Sequence, residues 1–148
     1  MSGVRRPAHA VTVELPVAFH ECDPLGVVWH GRYFEYMERA RQALMASVGL
    51  DVPQIRALGF RMYVTETRCR FMAPLAYGDT ARVTAWFGAV TPLIRVGYDL
   101  GKAGDGRWRA RAATVLATTD ESGALLPQTP DAILSRLPEL GASELGAR

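Results

Sequence analysis

The sequence predicts an α+β fold in which a largely antiparallel sheet wraps one long helix. A single helical periodicity near residues 31–48 and four β-rich runs after it carry this reading, together with a length that leaves room for one core. At 148 residues the chain has the usual size of one domain. A single domain is therefore expected over residues 1–148, with an ordered core from about 11 to 138.

The run VTVELPVAF at 11–19 alternates and is rich in β-formers, so it reads as the first strand, with Pro16 placing it at an edge or a bulge. Residues 21–26 hold Asp23, Pro24 and Gly26, which is turn chemistry. From Gly31 to Val48, Tyr33, Phe34, Met37, Ala40, Leu44 and Met45 recur at three and four residues, and Gly49 sits where a helix C-terminal glycine belongs. These apolar positions, Phe34 included, are expected to be core. A short helical or irregular stretch follows at 51–58.

Strands are expected at 62–72, 79–90, 93–102 and 107–119. Turn signals separate them at 74–79, at Thr91 and Pro92, and at 101–106, and connections this short favour antiparallel neighbours. A short helix is expected at 132–137, and a frayed tail from Gly141. One helix covers only one face of such a sheet, so the other face calls for a partner and the fold is expected to dimerise.

Hydrophobic residues make up 49% and charged residues 22%, ordinary values for a globular chain. Nothing approaches the roughly 18 consecutive apolar residues of a membrane helix. The opening MSGVRRPAHA lacks the apolar stretch of a secretory signal, so a cytoplasmic protein without membrane association is expected. Net charge is +2, with sixteen arginines, one lysine and no dense basic run, which argues against a nucleic-acid partner. Cys22 and Cys69 are too few for a disulfide framework and have no metal-ligand spacing around them, so both are expected to be reduced.

Asp23 stands out within FHECDPLGVVWHGRYFEYMERAR, seven positions before the helix start at His30. A carboxylate there can face an electrophile polarised by the free backbone N–H groups of the helix N-terminus. An Asp before Pro is also a common turn residue.

Phe19, Cys22-Asp23-Pro24, Gly26, Val28-Trp29 and Tyr33 form a pattern that resembles the 4-hydroxybenzoyl-CoA thioesterase family of hotdog-fold proteins, including its broader acyl-CoA thioesterase branch. Glu38-Arg39-Ala40-Arg41, Phe71-Met72-Ala73-Pro74 and Gly78-Asp79 are similar to that branch, so the likeness runs from about residue 12 to 130. The resemblance implies a thioester hydrolase with Asp23 as nucleophile or general base. It also implies that the backbone N–H at His30 donates to the developing oxyanion. Substrate contacts are expected from Gly31, Tyr33 and Glu38. Glu38 also has Arg39 and Arg41 as ordinary local ion-pair partners. Of Thr65 and Glu66, one is expected to face the pocket. The implied substrate is an acyl-CoA ester, no metal or redox cofactor is needed, and the assembly is a homodimer, or two dimers forming a tetramer. Arg68, Arg70, Arg95, Arg107 and Arg109 are available for CoA phosphates.

Other readings of the same residues are a carrier-protein thioesterase, a non-catalytic acyl-thioester binding dimer, and a hotdog hydratase or dehydratase. The last uses an Asn partner, and this chain has no Asn.

Overall fold

The computed structural model describes residues 6–140; the expected frayed tail from 141 lies outside them. The elements are β1 (Val11–Pro16), a 3-10 turn (Phe19–Glu21), α1 (Arg32–Ser47), α2 (Val52–Ala57), β2 (Phe60–Phe71), β3 (Thr80–Ala89), β4 (Ile94–Lys102), β5 (Trp108–Asp120) and α3 (Asp131–Leu134). The strands form one sheet in the order β1-β3-β4-β5-β2, every pair antiparallel.

Helix α1 forms where the three-and-four spacing placed it, burying Tyr33, Tyr36, Met37, Ala40, Leu44 and Met45. Gly49 ends it at φ +72°, a left-handed conformation that costs glycine little, and the Leu50 N–H donates back to the Met45 carbonyl at 2.9 Å. Phe34 departs from its expected core position and is 36% exposed. At about 100° per residue it turns off the buried stripe and joins Glu35 and Glu38 on the outer side.

One face of the sheet packs on α1 through alternating residues: Val83, Ala85 and Phe87 of β3, Val96, Tyr98 and Leu100 of β4, and Ala110 and Leu116 of β5. Register places Val83 opposite Leu100, Ala85 opposite Tyr98 and Phe87 opposite Val96, so these side chains form continuous rows under the helix. The opposite face is polar and holds Thr12, Arg82, Thr84, Asp99 and Arg111.

Two expectations need correction. The first strand stops at Pro16 rather than near residue 19, because Pro16 lacks an N–H for the ladder and the chain turns into the 3-10 segment. The strand expected at 62–72 does not neighbour the one at 79–90, as the short turn between them suggested. β2 pairs with β5 at the far edge, and the connection at 72–79 crosses the end of the sheet past the first turn of α1.

Leu44 is fully buried between α1 and the sheet. Leu44→Ala should destabilise the fold by about 2–5 kcal/mol, read as a lower urea midpoint at an unchanged m-value.

Candidate active site

Asp23 lies in a tight loop whose backbone is closed on itself. Its N–H donates to the Val27 carbonyl at 2.8 Å, and its carbonyl accepts from the Gly26 N–H at 2.9 Å. Gly26 has φ +80°, and Cys22 and Val28 form an antiparallel bridge across the base. The Leu25 N–H donates to Asp23 Oδ1 at 2.9 Å. That bond is the Asx-type turn expected of an Asp before Pro, and it fixes the carboxylate. Among the described residues Oδ2 has no hydrogen-bond partner.

The chain then enters α1 without a side-chain cap. The Trp29 N–H donates to the Glu21 carbonyl at 2.9 Å, the Arg32 N–H to Trp29 at 2.9 Å and the Tyr33 N–H to His30 at 3.3 Å. The backbone N–H of His30 donates to no acceptor among the described residues. The positive end of the helix dipole points the same way.

Asp23, Val28, His30, Tyr33, Phe71 and Met72, with Ala73 and Pro74, line one open cavity of about 360 Å³. The Tyr33 ring stands edge-on to Phe71 at 5.0 Å, and the His30 imidazole approaches the same ring at 6.2 Å. The Leu75 N–H donates to the Tyr33 hydroxyl at 3.2 Å. Burial raises the Tyr33 pKa, and the Leu75 bond offsets part of that rise. The cavity therefore offers a carboxylate, an unused backbone N–H and apolar walls.

Several contacts hold this loop in place. The Tyr36 hydroxyl donates to Glu21 Oε1 at 3.1 Å, and the same oxygen accepts from the Ala18 N–H at 2.7 Å. Burial, followed by the bond to Glu21, raises the Tyr36 pKa, so the phenol remains a donor at neutral pH. Arg109 donates to the Pro74 carbonyl at 3.0 Å and to Asp105 at 2.8 Å, while its own carbonyl accepts from the Met72 and Ala73 N–H groups. Asp79 accepts from the Ala76 N–H at 2.9 Å and from Lys102 at 2.9 Å. Cys69, on the adjoining stretch of β2, is no rival nucleophile. Burial pushes its thiol up to about 11, leaving it protonated at neutral pH.

The structure thus brings Asp23, His30 and Tyr33 together. Gly31 is adjacent but lies under the Trp29 indole, which a Cβ at that position would strike, and it does not line the cavity. Glu38 is one helical turn and more away, accepts from Arg41 at 2.6 Å and lines a second cavity with Arg39, Met45, Ile55, Met62 and Val64. Thr65 and Glu66 sit at a β-bulge that breaks the alternation, and both are exposed. Of the arginines, Arg109 is engaged with Pro74 and Asp105, whereas Arg68, Arg70 and Arg95 line a groove on the other face of the sheet. Sequence reasoning did not assign Val28, Phe71 or Met72 to the cavity. The Phe71-Met72-Ala73-Pro74 run was visible, but its approach to Asp23 depends on the crossing connection.

The sequence matches the Thioesterase-like superfamily over residues 17–137. It is 32% identical over 78 residues to a Bacillus subtilis (strain 168) protein provisionally named acyl-CoA thioesterase YneP, covering 53% of this chain and 56% of that one. It is 30% identical over 87 residues to the chloroplastic acyl-acyl carrier protein thioesterase ATL3 of Arabidopsis thaliana, covering 59% of this chain and 45% of that one. The chain therefore spans about half the length of the curated relatives it matches. A structure of a 4-hydroxybenzoyl-CoA thioesterase mutant complexed with 4-hydroxybenzoyl-CoA superposes with a TM-score of 0.78 at 16% identity, over 88% of this chain and all of that one. At that identity the likeness establishes the hotdog fold.

The Lys102 and Ala76 bonds hold the Asp79 carboxyl below the usual carboxylate range. Its contribution to stability is therefore present above about pH 4 and is lost as pH falls through the depressed native value. Asp79→Asn should lower the urea midpoint at pH 7, at a cost of about 1 kcal/mol. It should also flatten the decline that wild type shows between about pH 5 and 2.

Proposed function

This chain belongs to the Thioesterase-like superfamily, and from that premise we propose that it is an acyl-CoA thioesterase acting in the cytoplasm. It hydrolyses a small acyl or aroyl thioester to a carboxylic acid and free CoA. The observation that carries the reading is the pairing of Asp23 with an unengaged backbone N–H at His30 in one apolar cavity.

The thioester carbonyl oxygen accepts from the His30 N–H, which stabilises negative charge as the tetrahedral centre forms. Asp23 then acts in one of two ways. As nucleophile, its carboxylate oxygen bonds to the acyl carbon, the C–S bond breaks, the thiolate leaves as CoA, and water hydrolyses the resulting anhydride. As general base, it takes a proton from water while the water oxygen attacks the same carbon; the tetrahedral centre then collapses, the C–S bond breaks, and the thiolate leaves as CoA, taking up the proton held by Asp23. Neither route calls for a metal or redox cofactor. Tyr33 and Phe71 hold the acyl group by packing.

The working unit in this proposal is a dimer. β2 is an edge strand with Tyr63, Val64 and Phe71 all more than 40% exposed, the kind of edge that pairs readily with a second copy. Antiparallel pairing about the middle of β2 sets the Met62 end of one copy against the Phe71 end of the other. The cavity containing Glu38 then faces the Asp23 loop across the interface, which gives Glu38 a route to the substrate. Two such dimers can join as a tetramer. A carrier-protein thioester is a second reading, favoured by the likeness to the plant carrier-protein thioesterase. Within the resemblance, the 4-hydroxybenzoyl-CoA branch supplies an aromatic acyl group as one candidate.

Thiol release from short, medium, long and aromatic acyl-CoA esters, and from a carrier-loaded ester, tests the reading. Asp23→Asn should lower turnover by about 10²–10⁴-fold with the light-scattering mass the same as that of wild type, two or four times 16.2 kDa. Equal turnover by both proteins, or silence of wild type on every ester, would sink it.

A further inference from the structure

The second cavity, of about 320 Å³, lies between α1, α2 and the first half of β2. Its wall is aliphatic: Met45, Leu50, Ile55, Met62, Val64 and Leu116. Leu50 is fully buried, and Met45, Ile55 and Leu116 nearly so, which makes most of that wall packed core. The acidic groups at the mouth are already engaged. Glu38 accepts from Arg41 at 2.6 Å, and Asp51 accepts from the Val52 N–H at 2.8 Å as the cap of α2. Neither carboxylate is left to confront an apolar ligand.

Strand register puts this cavity and the Asp23 cavity on one side of the sheet. Met62 pairs with Thr118 and Val64 with Leu116, whose side chain packs under α1. The bulge between Val64 and Glu66 shifts the alternation by one residue, so Phe71, paired with the buried Ala110, faces that same side. In the β2-paired dimer described above, the Phe71 end of one copy meets the Met62 end of the other. The aliphatic cavity of one copy then continues from the Asp23 cavity of its neighbour.

We propose that the aliphatic cavity takes the tail of a straight-chain acyl group of roughly ten to twelve carbons, with Met62 and Val64 setting the chain length. This rests on the thioesterase reading and on the β2-paired dimer. An apolar cavity of about 150 Å³ suffices for one benzene ring, so an aroyl group would leave about half of this one empty. A methylene is close to a water molecule in size, about 30 Å³, and the same space takes on the order of ten of them. The thioethers of Met45 and Met62 adapt to the bends of a flexible chain. None of the residues that line the cavity is aromatic, so a planar ring finds no stacking partner there.

Titration calorimetry with decan-1-ol, hexan-1-ol and benzyl alcohol reads the cavity without turnover, so its failure and a failure of the thioesterase reading are separate results. Decan-1-ol should bind most tightly, gaining about two- to fourfold per methylene over hexan-1-ol. Met62→Trp and Val64→Phe each fill part of the cavity and should weaken decan-1-ol by about tenfold, the effect of displacing two buried methylenes. In turnover, kcat/KM along a series of acyl-CoA esters should peak near decanoyl and dodecanoyl, and both variants should move the peak about two carbons shorter. Thermal melts and light scattering check that each variant is folded and associated as wild type is. No binding of decan-1-ol by wild type, or equal affinities in wild type and both variants, would overturn the proposal and leave the cavity to side chains of the second copy. A peak at an aroyl ester, or one that neither variant moves, would overturn it with the thioesterase reading intact. Binding that both variants weaken, with no ester turned over, would support the aliphatic site and reject the catalytic reading alone.

Discussion

The position of β2 at the far edge of the sheet is the constraint from which the site follows. Because β3 lies between β1 and β4, the chain leaving β2 must cross the end of the sheet past the N-terminus of α1 before it can begin β3. The crossing passes through apolar interior at Leu75, which is fully buried. A buried backbone group left unpaired costs about 1–3 kcal/mol, and both backbone groups of Leu75 are satisfied here. Its carbonyl accepts from the Val28 N–H at 2.8 Å, and its N–H donates to the Tyr33 hydroxyl. With Val27 bridged to Ala76, the Asp23 loop, the crossing segment and the first turn of α1 become one unit.

That unit leaves the helix N-terminus open where a protein built only for stability would close it. A Ser, Thr or Asp cap is worth about 1 kcal/mol, and α2 has one in Asp51, whose carboxylate accepts from the Val52 N–H at 2.8 Å. α1 has Gly31 at the corresponding place, with the Trp29 ring over it and, among the described residues, no side-chain cap hydrogen bond. The nearby carboxylate, Asp23, is instead held by its own loop. The anion is thereby not spent on the N–H groups it could otherwise cap.

Elements with a strong period were legible in the sequence: α1 and β3 to β5 lie within one or two residues of where spacing and turn residues put them. The Asp23, His30 and Tyr33 grouping was legible through the motif, because those residues lie on one local stretch of chain. What escaped was non-local. A turn of a few residues between β2 and β3 reads as a hairpin unless the pairing of β2 with β5 is known, and so Phe71 and Met72 could not be assigned to the cavity. Phe34 was misplaced because aromatic spacing alone does not separate the buried stripe from the residue beside it. Glu38 shares α1 with Tyr33 but faces another cavity, a difference of helical phase that a list of nearby residues conceals.

Arg70 and Phe71 illustrate how little chain separates the two sides of the sheet. Successive residues of β2 point to opposite faces, so Phe71 closes the cavity with Asp23 while Arg70 enters the arginine groove. The sheet backbone lies between the two, and the Arg111–Asp99 contact belongs to the side of Arg70. The two surfaces meet around the outer edge of β2, where among the described residues no strand covers the ladder. A second copy pairing there would extend the sheet and separate the two faces further. The pairing of β2 thus bears on both faces at once, through Phe71 on one and Arg70 on the other.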